Sequence, residues 1–453
     1  MSRVVVLGGG PAGLYGALLL ARRRIPVTVL EREETPGGLT AGTEIAGIPV
    51  DYGSHRLHRS IDPDILSDLR SILGDDIQTR ARNGRILMDG SWISFPISPV
   101  ELLTRLRPST VARLGAGAAL ATVTPKRSET FADVVSSGLG KPMGELFYFP
   151  YAKKIWGVSP GELSGEQARR RISADSPWKL VRKAFSGGSG REFLYPKKGF
   201  RQIATGLAAA AADAGSELRL GTPALSISGS APDIEIETPS GSLSAALVLS
   251  TIPITALARF TGPPEKVVAG AASLRYRAMV LVYLVLPVAQ WTPFDAHYFP
   301  GADVRFTRIS EPKNYREGAD PLQRTVLCVE IPCDPDDTVW NESDQALLAT
   351  VRNDIVGSGL PDPGMEGEVR RIRNAYPIYN VGSDSALAEV AGWLDTRPGL
   401  VTYGRQGLFA HDNTHHALAM ARDAVGCISP GLDFDEAGWA RARERFAQHV
   451  VED

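Results

Sequence analysis

The chain has 453 residues, 43% hydrophobic and 22% charged, an ordinary globular composition with length for two or more domains and a sizeable core. A formal net charge of -2 excludes the strongly basic footprint of a nucleic-acid binder. Three cysteines, Cys328, Cys333 and Cys427, are too few for a disulfide framework and match no zinc spacing.

Met1-Ser2-Arg3 runs straight into Val4-Val5-Val6-Leu7, without the apolar region and cleavage site of a signal peptide. The most apolar later stretch, Leu114–Val123, is short of a membrane span. A cytoplasmic protein without a transmembrane segment is expected. Amphipathic helices over Ile97–Val123 leave peripheral membrane contact open, although ordinary helices of a substrate domain are the favoured reading.

Arg3–Leu7 is predicted to be a buried parallel strand. Gly8-Gly9-Gly10-Pro11-Ala12-Gly13 follows, with Gly8, Gly10 and Gly13 on a G-x-G-x-x-G pattern. A helix is predicted over Leu14–Arg23 and a second strand over Pro26–Leu30, followed by Glu31 and Arg32. Gly8 permits a tight turn, Gly10 lets backbone approach a pyrophosphate, and Gly13 lets helix and strand pack closely. The helix N-terminus offers free N–H groups to phosphate, and Glu31 can accept hydrogen bonds from a ribose. The pattern alone is weak, but in this strand–turn–helix–strand–acid setting it points to a dinucleotide rather than to a mere glycine-rich turn.

After the acid comes Glu33-Glu34-Thr35-Pro36-Gly37-Gly38-Leu39. A glycine pair here resembles the extended FAD-binding family of amine oxidases, protoporphyrinogen oxidase and UDP-galactopyranose mutase. The resemblance implies FAD, held by Gly8, Gly10, Pro11, Ala12, Gly13, Glu31, Arg32, Gly37, Gly38 and Leu39. Val50-Asp51-Tyr52-Gly53-Ser54-His55-Arg56-Leu57-His58 resembles the D-x-G-x-H segment that runs along the flavin. It implies flavin contact at Gly53, Ser54, His55 and Arg56, a role in turnover for His55, and substrate contact at His58. Solvated loop histidines are the plainer alternative; as a metal pair they lack a third ligand, and no metal is expected.

Phe149–Gly157 with Pro160, Glu162-Leu163 and Arg169-Arg170-Arg171 resembles the mutases' K-x-W-G…P-x-E-L…R tract. This implies substrate contact by Trp156 and a diphosphate grip by Arg170, an arginine fork bonding two oxygens at once. A basic surface helix with a core tryptophan is the alternative. Tyr195, in Glu192–Phe200, resembles the family's Y-P-x-x-G entry and is expected in the pocket or in the frame. Arg277, in Leu274–Ala278, resembles a substrate-contacting arginine, and Tyr376 and Tyr379 resemble the mutases' Y-P-I tyrosines or are sheet-edge aromatics. Arg308-Ile309-Ser310-Glu311-Pro312-Lys313-Asn314 is similar to an R-I-S-E-x-K-N tract of protoporphyrinogen-oxidase-like proteins. Gly404-Arg405-Gln406-Gly407-Leu408 resembles the mutases' Gly-Arg-x-Gly, which implies that Gly404, Arg405, Gly407 and Leu408 approach the flavin or its pyrophosphate. Phe409-Ala410-His411 then stands where the mutases carry an aromatic Y-R-Y tract.

The expected fold class is α/β: a discontinuous Rossmann-like FAD-binding domain over 1–75, 190–260 and 395–453, with an α+β substrate domain over 76–189 and 261–394. That second domain is expected to hold a mixed antiparallel sheet plus helices, with a mobile or linking stretch at Arg182–Arg191. Arg170, Arg277 and His55 are the residues expected to act on a small-molecule substrate. The favoured chemistry is hydride transfer to the flavin by an oxidoreductase, from a small molecule that includes glycosyl or sugar-nucleotide compounds. A non-redox sugar-nucleotide mutase and a non-catalytic flavin binder are the alternatives. A monomer or homodimer is expected.

Overall fold

A computed structural model describes residues 3–97, 99–171 and 192–451; the Gly/Ser-rich stretch Arg182–Arg191 lies outside the described residues. The strand Val4–Leu7 pairs in parallel with Val27–Leu30 on one side and Leu247–Ser250 on the other. Glu217–Arg219 and Leu400–Thr402 extend this to a five-stranded parallel sheet. Successive side chains of a strand point to opposite faces. Val4 and Val6 accordingly join a core with the helices Pro11–Arg22, Arg201–Asp213 and Thr414–Gly426, whereas Val5 and Leu7 join a second core on the other face. There the partners are a three-stranded antiparallel sheet, 226–245, and the helices Ile254–Phe260, Glu265–Ser273 and Ser383–Asp395.

The first helix begins at Pro11, three residues before the sequence expectation. Proline at the first helical position loses no hydrogen bond and brings a helical φ with it, so Gly10 stays extended and the helix starts at once. Pro108 acts likewise: it splits the helical region expected over 98–122 into Pro99–Arg105 and Pro108–Val123.

A seven-stranded mixed sheet, ordered 367–377, 276–286, 325–333, 308–310, 296–298, 84–88 and 91–95, forms the second body. Its long strand Tyr276–Leu286 is buried on both faces. Val280, Val282 and Leu284 face the helix Asp344–Gly357, and Met279, Leu281 and Tyr283 pack against Ile45, Ile48 and Val50. The hairpin 42–51, from the N-terminal segment, therefore sits on the second sheet. Ile77–Ala81 also pairs with Glu192–Pro196. Among the described residues no helix is long and apolar enough to cross a membrane.

A Cβ at Gly13 would lie 2.0 Å from the Gly8 carbonyl oxygen and 3.2 Å from Val6 Cγ1. Gly13→Ala should lower the unfolding free energy by about 1–3 kcal/mol, the usual cost of overpacking. A urea midpoint equal to that of the parent chain would show that this close approach is not required.

Candidate functional site

Gly8 takes a φ of +103°, and its N–H donates to the Leu30 carbonyl at 2.9 Å. A side chain at Gly10 would meet only the Gly37 oxygen, at 4.0 Å, so the mouth of this turn is open backbone beside the N-terminus of the helix that begins with Pro11 and Ala12. Gly37, with a φ of +132°, donates to the Gly9 carbonyl at 2.8 Å and lays Gly38 and Leu39 alongside. The buried Glu31 carboxylate accepts from the N–H groups of Gly9 (2.6 Å) and Glu33 (3.0 Å), which fix it at this mouth. Arg32 is exposed and pairs with Glu33 at 3.1 Å. From the far end of the chain, Gly404 (φ +77°) places its backbone so close to Ala12 that an added Cβ would stand 3.2 Å from the Ala12 Cβ. The Leu408 N–H donates to the Gly404 carbonyl at 3.0 Å, and a Cβ at Gly407 would meet the Ser250 carbonyl at 3.0 Å. A bare, N–H-rich cradle with a fixed acid fits the ADP half of a dinucleotide.

The 51–58 segment is held from several elements. The Asp51 carboxylate accepts from the Phe200 and Arg201 N–H groups, at 3.0 and 3.1 Å, and from the Tyr195 hydroxyl. Glu330 accepts from the Ser54 N–H at 2.8 Å and forms a two-pronged pair with Arg308, at 3.0 and 2.7 Å. Gly53 turns with a φ of +96° against this carboxylate. The Ser54 hydroxyl bonds Tyr315, and Arg56 lies over the rings of Phe193 and Tyr315 with Asp295 at 3.3 Å. The side chains of Ser54 and Arg56 thus brace the loop, and the Ser54 backbone is itself held, its N–H by Glu330 and its carbonyl by Arg308 at 3.3 Å. His55 Nε2 lies 3.1 Å from the Tyr52 carbonyl, and burial holds the ring below its ordinary pKa. Donation through Nε2 leaves Nδ1 as an acceptor.

The Gly-Arg turn converges with three other elements. Trp156 is 3% exposed at the end of the helix Phe149–Trp156, and its Nε1 has no hydrogen-bond partner among the described residues. The Arg171 guanidinium lies 5.6 Å from the ring centres of both Trp156 and Tyr376. Arg405 lies 5.2 Å from the Tyr376 ring; it donates to the carbonyls of Ala375 (3.0 Å) and Asp412 (3.3 Å), and its Nε is left without a partner among the described residues. His411 lies near-parallel to Tyr376 at 6.2 Å, with Nε2 2.7 Å from the Pro377 carbonyl. Burial, with Arg171 and Arg405 nearby, holds it well below its ordinary pKa and so neutral. Two guanidiniums and two buried donors without a partner among the described residues thus gather beside flat aromatic rings, and such donors are costly to leave unpaired.

Several residues expected at the site are committed elsewhere. Arg170 pairs with Glu166 at 2.7 Å and donates to the Ala447 carbonyl at 3.4 Å, while its neighbour Arg171 meets Trp156 and Tyr376. Residues on a helix turn by about 100° each, so adjacent arginines serve different faces. Arg277, 7% exposed, is spent on Asp334 (2.7 Å) and on the carbonyls of Ile155 and Pro332. Tyr195, 1% exposed and bonded to Asp51, is an internal brace rather than a pocket wall. His58 is buried, bonded to Ser60 at 2.7 Å and beside His415, not beside Trp156. The Tyr379 hydroxyl donates to the Phe409 carbonyl at 2.7 Å and accepts from the His411 N–H, so it positions His411. The Arg308–Asn314 tract is architectural: Glu311 accepts from the N–H groups of Trp291 and Thr292, and Lys313 donates to three carbonyls.

A family model described as flavin containing amine oxidoreductase matches residues 11–425. The chain belongs to this family. It is by family an FAD-dependent oxidoreductase, and FAD is its cofactor. The flavoprotein's fold is similar to that of reduced UDP-galactopyranose mutase, with a TM-score of 0.82 and 19% identity over 100% of both chains. A protoporphyrinogen oxidase-like protein from Exiguobacterium sp. 255-15 gives a TM-score of 0.74 and 20% identity over 94% of this chain and 98% of that one. Curated sequence matches are local: hydroxyneurosporene desaturase from Rubrivivax gelatinosus is 51% identical over 51 residues, 11% of this chain and 10% of that protein.

Two outcomes follow. Arg277→Ala should cost about 1–3 kcal/mol of stability, the cost of leaving the Ile155 and Pro332 carbonyls without their donor, so a melting temperature like that of the parent would refute its structural role. His55, His297 and His411 are all held neutral by burial, His297 with a pKa lowered to about 3. The unfolded chain then binds more protons in acid, so stability is full above about pH 6.5 and falls as pH drops below it. Urea midpoints that stay flat between about pH 7 and about pH 5 would contradict this.

Proposed function

We propose that the protein oxidises a small molecule carrying an anionic or oxygen-rich group, glycosyl and sugar-nucleotide compounds included. The observation that carries this reading is the pair of partnerless buried donors, Trp156 Nε1 and Arg405 Nε, between the flat rings and cations of Tyr376, His411 and Arg171. When bound, FAD supplies the two-electron acceptor for a substrate C–H bond; the protein supplies binding and orientation. Gly8–Gly13, Glu31 and Gly37-Gly38 would hold the ADP half, and the backbone of Gly53–His55 and of Gly404–Leu408 would border the ring end. Arg171 and Arg405 would grip the substrate's oxygens, with Trp156 and Tyr376 as walls that exclude water. Neutral His411 adds no charge to oppose a hydride donor.

A second reading, a non-redox sugar-nucleotide mutase, is supported by the full-length likeness to the mutase fold. Against it stands Phe409-Ala410-His411 and the commitment of Arg170 and Arg277 to structural partners.

The test is to bleach the holoprotein with dithionite, add UDP-galactose or other sugar nucleotides, and admit air. Rapid reoxidation without isomerised sugar supports the oxidoreductase; isomerisation by the reduced form alone overturns it. Arg405→Ala should weaken sugar-nucleotide binding about 10-fold or more, the worth of a charge-assisted hydrogen bond. Equal affinity in the variant would remove Arg405 from the substrate site.

A further inference from the structure

At the start of the helix Thr414–Gly426, just behind His411, lies a group that the flavin site does not use. His416 Nδ1 and His449 Nδ1 each stand 3.2 Å from the same Asp412 oxygen, Oδ1. The three donor atoms all lie within 4.8 Å of one another. The Asp412 side chain is 0% exposed, and its second oxygen has no hydrogen-bond partner among the described residues. The two imidazoles stack at 4.1 Å and are 14% and 20% exposed, so the group opens to water on their side alone.

We infer that Asp412, His416 and His449 form a binding site for a divalent transition-metal ion of the zinc class. The donor set selects that class: imidazole nitrogens with one carboxylate suit zinc and its neighbours, whereas magnesium and calcium take oxygen donors. The spacing fits too. Bonds of about 2.0–2.1 Å at tetrahedral angles put ligand atoms about 3.3 Å apart; both histidine–Asp412 pairs stand at 3.2 Å, and the two histidine nitrogens lie within 4.8 Å of each other. Two simple ion pairs fit less well. Charge-assisted N–H···O bonds run at about 2.7–2.9 Å, and here both rings crowd one oxygen while the other is left bare. The Asn413 N–H also lies 3.3 Å from His416 Nδ1, a contact that a bound ion would replace. Neighbouring cations are accommodated: Arg170 is neutralised by Glu166, and Arg405 donates to the Asp412 backbone carbonyl. Water would fill the fourth position.

Such an ion would staple the C-terminal segment to the flavin domain. His449 comes from that segment, whose Ala447 carbonyl and Val451 N–H also bond Arg170. The site would be structural and would border the proposed substrate cluster through the Asp412 carbonyl, which Arg405 bonds.

The test strips the FAD-loaded protein with a chelator, dialyses it against zinc chloride, and measures zinc per chain by mass spectrometry and affinity by calorimetry. The parent should retain one zinc ion. His449→Ala, in the terminal segment, and His416→Ala should each weaken binding about 10–100-fold while flavin content stays constant. Should His416→Ala fail to fold, His449→Ala decides the question. Zinc uptake that is absent in the parent, or unchanged in His449→Ala, would overturn the site.

Discussion

The whole arrangement depends on one steric approach, that of the helix Pro11–Arg22 to the strand that precedes it. With the Gly8 carbonyl 2.0 Å from where a Cβ would stand at position 13, only glycine lets the helix start so close to the sheet. That closeness brings the helix N-terminus to the mouth where Gly9, Glu31 and Gly37 meet. The same helix start meets the distant Gly404 turn, which packs its backbone on Ala12 and carries Arg405 to the Ala375 carbonyl beside Tyr376. The helix N-terminus, the buried Glu31 and the Gly404 turn thus share one packing constraint.

The second sheet serves as a rigid wall for the flavin-side loop. Glu330, buried at the centre of that sheet, joins Arg308 to the Ser54 backbone across 276 residues of sequence. Leaving either charge unpaired there would be costly, so the three groups fix one another. Asp51 plays the corresponding part toward the helix Arg201–Asp213. A loop braced on both sides is held to one course, and Ser54 and Arg56 are both spent on that bracing.

How far the sequence revealed this depends on the range of the interactions. The dinucleotide turn was legible because its requirements are local: a tight turn, an open backbone and an acid after the next strand all fall within thirty residues. The combination of a Rossmann-like body with a second mixed sheet was carried by the family resemblance rather than by any one local run. The cluster proposed to take substrate was legible only in part: Trp156, Tyr376 and Arg405, which the structure brings together, lie on recognisable tracts. Arg171 was missed because neighbouring arginines differ in nothing but helix phase, and Glu330 because no motif surrounds it. Arg277 was expected near substrate yet holds the frame together, and Tyr195, expected in the pocket or in the frame, is in the frame; a short motif does not distinguish a group that binds ligand from one that holds backbone carbonyls.

The central claim is that the N-terminal turn grips FAD. The most direct measurement is the visible spectrum of the purified protein, followed by acid release and chromatographic identification of any flavin. A yellow protein that releases one FAD per chain, and loses it in Gly10→Val with the fold retained by circular dichroism, is the predicted result. A colourless protein that takes up no FAD when it is supplied, or a Gly10→Val variant with full flavin content, would contradict it.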